Sequence, residues 1–268
     1  MTALTHLLIT RFNLNYGDLY PYTDGWMAHR MELFERYCLP SVARQEGRDF
    51  RWLVYFDRAR SASRKARIEA LLDRPGTEAV FVDTPEEMIA DLRARAPQEG
   101  LFLTTRLDND DALHPRFVAD VQARVRSLME QGVDLPAIVD APVATWWEEG
   151  HARARQYRSP IVTPFATMVE RPENGIWPEG AWGQGPRTVF IARHEKLGER
   201  VAHVDRLDTP LGLTVLHGQN VSNGRSRFDG ALGRLAGLAR RWRDRKSYLG
   251  RAETAQLLAG FGLGQDAG

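Results

Sequence analysis

The sequence predicts an α/β fold built on a mainly parallel sheet flanked by helices, and three observations predict it. Short apolar runs alternate with segments of helical period through the first half of the chain. Several of these runs end on a polar or charged residue. The composition, 43% apolar and 26% charged over 268 residues, is that of a chain with a full core. Strands alternating with helices of this length form right-handed βαβ units.

His6–Thr10 is a short apolar run and reads as a buried strand. Over Trp26–Gln45, Met27, Met31, Phe34, Cys38 and Val42 recur at helical spacing, with Pro40 as an interruption. Phe50–Phe56 reads as a second strand, Ala62–Leu72 as a helix with a basic outer face, and Ala79–Val82 as a third strand. Pro85–Ala96 is a predicted helix with proline at an early position, where its missing N–H does no harm. Leu101–Leu107 is a fourth strand, and Pro115–Gln131 a long helix with Phe117, Val121, Val125 and Leu128 on one face.

The second half is of another kind. Trp146 to Gly185 is rich in Trp, Pro and Gly, with Ile161–Met168 its one clear predicted strand. Val189–Ala192 and Leu213–His217 are predicted as two more. This composition suits loops draped over one side of a sheet, beside a binding cleft. The last 40 or so residues are predicted helical before a Gly-rich tail.

Charge and cysteine content exclude some classes. The 36 Lys and Arg nearly balance 35 Asp and Glu, for a net charge of +1, so no global attraction to nucleic acid is expected. A single cysteine, Cys38, excludes an internal disulfide and a multi-cysteine metal site, and reads as a buried thiol on a helix. No secretory leader and no membrane-spanning run is visible, which predicts a cytoplasmic protein.

In a parallel sheet, ligands bind beyond the carboxyl ends of the strands. Four groups sit there: Arg11 to Asn15, Asp57, Asp83, and Asp108 to Asp111. The last is the most informative, because an apolar strand runs into three carboxylates within four residues. Such carboxylates repel one another. A cation that neutralises them explains the cluster, and carboxylate oxygens suit Mg²⁺ or Mn²⁺. A plainer role for Asp111 or His114 is to cap the helix that starts near Pro115.

Here a resemblance enters. Leu39-Pro-Ser-Val-Ala-Arg-Gln45, followed by Phe50-Arg-Trp-Leu-Val-Tyr-Phe-Asp57, resembles the N-terminal signature of GT-A glycosyltransferases of the family 2 type. Leu107-Asp-Asn-Asp-Asp111 is similar to their metal-binding Asp-x-Asp motif. Thr104-Thr-Arg-Leu-Asp-Asn-Asp-Asp-Ala-Leu-His114 and His217-Gly-Gln-Asn-Val-Ser-Asn223 resemble, more narrowly, the bacterial rhamnosyltransferase family.

The resemblance implies a GT-A domain over residues 1–230, with a donor half of about 1–131 and a loop-rich acceptor half of about 132–230, then a helical segment and tail over 231–268. It implies a nucleotide-sugar donor, a carbohydrate or glycoconjugate acceptor, Mn²⁺ or Mg²⁺, and transfer of a hexose such as rhamnose. The implied donor contacts are Arg11, Asp57, Arg106 and Asp108, and the implied metal ligands Asp108, Asp110 and His217. The Gly218, Asn220 and Asn223 that flank His217 suit close approach to a ligand.

An inverting transfer also needs a general base. Glu195, in Arg193-His-Glu-Lys-Leu197, ranks ahead of Glu170 and Asp205. Trp146, Trp147, Trp177 and Trp182 crowd the loop-rich half, either as rings for an acceptor sugar or as buried anchors. The helix predicted over Ala231–Tyr248 has an apolar face backed by arginines, which suits either peripheral contact with anionic lipid at the inner face of a membrane or packing on the domain. Two rival functions remain at this point: a sugar-nucleotide nucleotidyltransferase, which lacks here its usual Gly-rich basic loop, and a non-catalytic carbohydrate-binding module.

Overall fold

The structure is a computed structural model and describes residues 3–14, 22–180, 183–217 and 248–263. The first half lays down β1 (Leu4–Arg11), α1 (Asp24–Leu33), α2 (Leu39–Ala43), β2 (Arg51–Asp57), α3 (Arg58–Ser61), α4 (Lys65–Leu72), β3 (Thr77–Val82), α5 (Pro85–Ala94), β4 (Leu101–Arg106), β5 (Ala112–Leu113) and α6 (Phe117–Glu130). There follow β6 (Ala137–Asp140), β7 (Val143–Glu148), β8 (Arg153–Arg158), β9 (Thr167–Glu170), β10 (Glu179–Gly180), β11 (Gly183–Gln184), β12 (His203–Arg206), β13 (Gly212–Leu216) and α7 (Arg251–Gly260).

Among the described residues the main sheet has seven strands in the order β12-β6-β9-β4-β1-β2-β3, and β9 alone runs against the rest. Both faces of its centre are covered. Leu8, Trp52, Val54 and Leu103 pack with Met31, Phe34, Val121 and Val125 of the helices on one side. Leu7, Ile9, Leu53 and Phe102 pack with Met88, Leu92 and Trp177 on the other. Burial on both faces is why these strands read as continuous apolar runs rather than alternating ones. A second sheet, β5-β13-β7-β8, stands beside the ends of the first.

Several expectations are corrected. Pro40 does not interrupt its helix. Phe34–Cys38 forms a π-helical turn, in which Leu39 N–H reaches the Phe34 carbonyl, and the wider turn makes room for the proline ring just beyond. The helix expected over Ala62–Leu72 begins with a 3₁₀ turn, Ala62–Arg64. The strand expected over Ile161–Met168 is instead Thr167–Glu170, because Thr163 is held in a loop by the Asp140 carboxylate, through its N–H at 3.0 Å and its hydroxyl at 2.6 Å. Val189–Ala192 is no strand. Val189 N–H donates to the Thr104 hydroxyl and Ile191 N–H closes a turn on Thr188, so this apolar run is a loop with Val189 buried and Phe190 to Ala192 half-buried.

The second half also holds more strand than its composition suggested. The β7–β8 hairpin, β6 and β12 are all there, and polar residues such as Arg153, Arg155 and Asp205 hide their pattern. Asp111 caps no helix. It is buried, and its carboxylate accepts the Val215 N–H at 3.0 Å, tying β13 to the turn after β4. The apolar-basic segment expected over Ala231–Tyr248, apart from Tyr248 itself, and the last five residues of the Gly-rich tail, 264–268, lie outside the described residues. Among the described residues no helix is long and apolar enough to cross a membrane.

Candidate active site

The carboxyl ends of β1, β2 and β4 converge, and backbone bonding fixes how. Leu107 N–H donates to the Ile9 carbonyl and Phe12 N–H to that of Tyr55. Asn13 then accepts the Asp57 N–H at 3.0 Å and donates to the Ser61 hydroxyl at 3.1 Å. Asn109 donates to the Phe12 carbonyl at 3.0 Å. The turn that carries the three aspartates is thereby bolted to the end of the central strand.

Each aspartate has a different partner. Asp108 accepts from Nε and Nη2 of the Arg106 guanidinium, at 3.0 and 2.7 Å. Asp110 accepts from Arg30 of α1 at 2.8 Å, and its Oδ2 lies 2.9 Å from His217 Nε2. Arg30 also bonds Asn109, and His217 lies 3.3 Å from His29.

These partners decide the protonation of the cluster. Burial pushes Asp108 upward, but the Arg106 guanidinium, with Arg11 and Arg30 behind it, outweighs burial and holds the carboxyl well below its ordinary value. Burial is likewise outweighed at Asp110 by Arg30 and His217, and that carboxyl is lowered too. Asp111 goes the other way, raised well above the ordinary value by burial and then by the two charged neighbours. The turn thus presents two ionised carboxylates and withholds the third.

A cavity of about 550 Å³ opens over this turn, within the size range of small-molecule sites. Asp108, Asp110, Arg11, Arg30, Arg106, Arg193 and Glu195 all line it. His217 is not a lining residue but bonds Asp110, which is. Glu195 sits at the start of a 3₁₀ helix, His194–Arg200, with Arg193 at 3.0 Å. Burial pushes its carboxyl up, but its own backbone N–H, His194 and Arg193 outweigh that and lower it.

The structure does not bring every expected residue to the cavity. Asp57 caps α3 by accepting the Arg60 N–H at 2.9 Å and is not a lining residue. Asp83 pairs with Arg58 at the surface. Glu170 spends both oxygens on the N–H groups of Arg187 and Thr188, and Asp205 spends both on Arg124. Among the tryptophans of the loop-rich half, Trp146 lines the cavity, as Trp26 of α1 also does, whereas Trp147 and Trp177 are buried anchors. Asn15, Trp182, Gly218, Asn220 and Asn223 lie outside the described residues. Arg30 and Arg193 carried no sequence signal as site residues. Arg30 in particular is one charged residue on an amphipathic helix until the fold sets it against Asp110, 80 residues away.

The donor set suits a hard cation. It offers carboxylate oxygens and an imidazole, with His217 Nε2 and Asp110 Oδ2 at hydrogen-bond distance, 2.9 Å, and such donors suit Mg²⁺ or Mn²⁺. Among the described residues no group of three or more His, Cys, Asp or Glu side chains is placed to hold a metal ion by itself. An ion here would therefore complete its shell with phosphate oxygens and water, as Mg²⁺ commonly does.

A family model described as putative rhamnosyl transferase matches residues 17–227. The chain belongs to that family. As a member it is a glycosyltransferase, and its sheet is the mainly parallel, helix-flanked one that the sequence led us to expect. No curated protein sequence matches it. Among solved structures, it is similar to S. aureus TarS 1-349 in complex with UDP-GlcNAc, at 14% identity and a TM-score of 0.44, over 97% of this chain and 71% of that one. It is similar also to TarS 1-349 in complex with UDP, at 12% identity and a TM-score of 0.41, over 97% of this chain and 70% of that one.

Proposed function

We propose that this glycosyltransferase moves a hexose, with rhamnose the favoured sugar, from a nucleoside diphosphate donor to a hydroxyl of a carbohydrate or glycoconjugate. One observation carries this reading: four guanidinium groups and two ionised aspartates share one cavity with Glu195. Arg11, Arg30, Arg106 and Arg193 suit a polyanion such as diphosphate, which guanidinium binds through paired hydrogen bonds. Asp108 and Asp110 would repel that diphosphate unless a cation lies between them.

We assign Asp108, Asp110 and His217 to hold Mn²⁺ or Mg²⁺. When bound, the ion neutralises charge that develops on the leaving diphosphate. The chain's own residues do the rest. The arginines hold the diphosphate in place as the bond from the anomeric carbon to its oxygen breaks and the electron pair moves onto that oxygen. Glu195 takes the proton of the acceptor hydroxyl as that oxygen attacks the anomeric carbon. A lowered carboxyl makes a weaker base, but it keeps Glu195 ionised at neutral pH. The engaged oxygens of Glu170 and Asp205 support this choice.

The donor half, about 1–131, and the acceptor half, about 132–230, are then functional halves of one unit, since β6, β9 and β12 extend the sheet that β1–β4 begin. A cytoplasmic location, with peripheral membrane contact through residues 231–248, completes the proposal.

The test is a panel of nucleotide sugars, each incubated with the enzyme and Mn²⁺ or Mg²⁺, with release of nucleoside diphosphate measured. Release from at least one, led by a rhamnose donor, is expected. Pyrophosphate release from a nucleoside triphosphate and sugar phosphate would show a nucleotidyltransferase instead. No turnover and no nucleotide binding would leave only a carbohydrate-binding module.

A further inference from the structure

The cavity has a second wall that the donor chemistry does not use. In the small sheet, side chains alternate between two faces. Trp147, Leu213 and Val215 point to one face and are buried with Leu33, Tyr37 and Phe261. Ala144, Trp146, Tyr157 and Thr214 belong to the other face, and all four line the cavity. One face of this sheet is therefore core and the other is cavity wall.

That wall carries exposed apolar surface. Among the described residues the exposed large hydrophobic side chains are Tyr157, Ile161 and Ile176, and the first two line the cavity. Exposed apolar groups gathered at a cavity mouth mark a binding surface more often than isolated ones do. Trp146 is also held in a set orientation. The Arg155 guanidinium lies 4.0 Å over its ring, and the Tyr157 ring meets it edge-on at 5.6 Å and 76°. Such a fixed ring binds without a large loss of its own freedom.

We propose that this face is the acceptor subsite, with Trp146 the ring on which the C–H face of a saccharide lies and Tyr157 and Ile161 its rim; the assignment rests on the donor reading given above. The occupant is a saccharide rather than an acyl chain because polar groups flank the rings, among them Ser159 and Thr214, and the carboxylate of Glu195 lines the same cavity. A sugar has an apolar face for the rings and a hydroxyl edge for those groups. The donor's arginines come largely from the other side: Arg11 and Arg106 from the large sheet and Arg30 from α1.

The experiment is saturation-transfer NMR on the full chain with the methyl glycosides of rhamnose, glucose, galactose, mannose and N-acetylglucosamine as probes. A panel of nucleoside diphosphates with Mg²⁺ is titrated into the same samples. At least one glycoside should receive saturation in the wild type, most strongly on the protons of one ring face. Trp146→Ala should weaken its binding by about tenfold, the loss of an aromatic anchor, with nucleoside diphosphate affinity unchanged. Tyr157→Ala, at a more exposed position, should weaken it by a smaller factor and decides the matter if Trp146→Ala does not fold. The inference is overturned if no glycoside is saturated while a nucleoside diphosphate binds, or if the signal survives both substitutions. It is overturned too if Trp146→Ala loses nucleotide affinity instead, since the ring would then serve the donor base. If no nucleoside diphosphate binds the wild type, the donor reading falls and this inference with it.

Discussion

The two sheets arm the same cavity in different ways. The seven-stranded sheet delivers charge at its strand ends: Arg11 at the end of β1, and Arg106, Asp108 and Asp110 at and just beyond the end of β4. The four-stranded sheet delivers a face, with Trp146, Tyr157 and Thr214 side by side. Strand ends suit point charges, because loops there can aim single groups at one atom. A sheet face suits a flat ligand, because neighbouring strands hold rings about 5 Å apart. On the proposed reading, the contrast assigns the departing diphosphate and the incoming sugar to different kinds of structure.

Substitutions can break or sharpen that contrast. Glu195→Gln should have the largest effect on rate, a fall in transfer of about 100-fold or more, with donor affinity nearly unchanged, because the base touches the acceptor. Steady-state rates beside Asp205→Asn check it, and a greater loss in Asp205→Asn would move the base. His217→Ala should lower turnover by about 10- to 100-fold, the usual cost of disturbing a metal shell, with little change in melting temperature. A large fall in melting temperature would make His217 a core residue.

Glu170→Leu should act on stability instead. It strips two backbone N–H groups of their acceptor, at a cost of about 2–3 kcal/mol, readable by urea unfolding. A separate effect concerns pH. His6 is fully buried between Thr105 and Gln122, and burial lowers its pKa to about 3. The unfolded chain takes up that proton near pH ~6.5. Between these limits the unfolded state binds more protons, so stability should fall as pH drops through about 6.5 toward 3 and stay level above. In His6→Gln the slope of unfolding free energy against pH in this window should shrink by up to about one proton.

Much of the donor side was legible in the sequence. Its strands are buried on both faces, so they appear as apolar runs, and each such run marks the strand end that carries a charged group. The Asp108–Asp110 pair could be found in this way. Arg30 could not, because its role depends on where α1 lies across the sheet. The acceptor side was mostly hidden. Strands β7 and β8 hold Arg153, Arg155 and Gln156 among their apolar residues, so no apolar run marks them. The run Val189–Ala192 misled for the opposite reason: an apolar loop packed on the core and a buried strand look the same when short. Glu170, a strand-end carboxylate, resembled a base in sequence, and only its two N–H partners show that it serves the fold.

Calorimetric titration of a nucleoside diphosphate, with and without Mn²⁺, into wild type and Asp110→Asn tests the central claim most directly. Asp110 bonds Arg30 and His217 and shares the cavity with Asp108. If this cluster is the metal and diphosphate site, Mn²⁺ should strengthen binding to the wild type, by about 1.4 kcal/mol for each tenfold gain. The Asn variant, equal in shape but without the charge, should lose that gain while its melting temperature holds. An unchanged Mn²⁺ effect in Asp110→Asn would contradict the account.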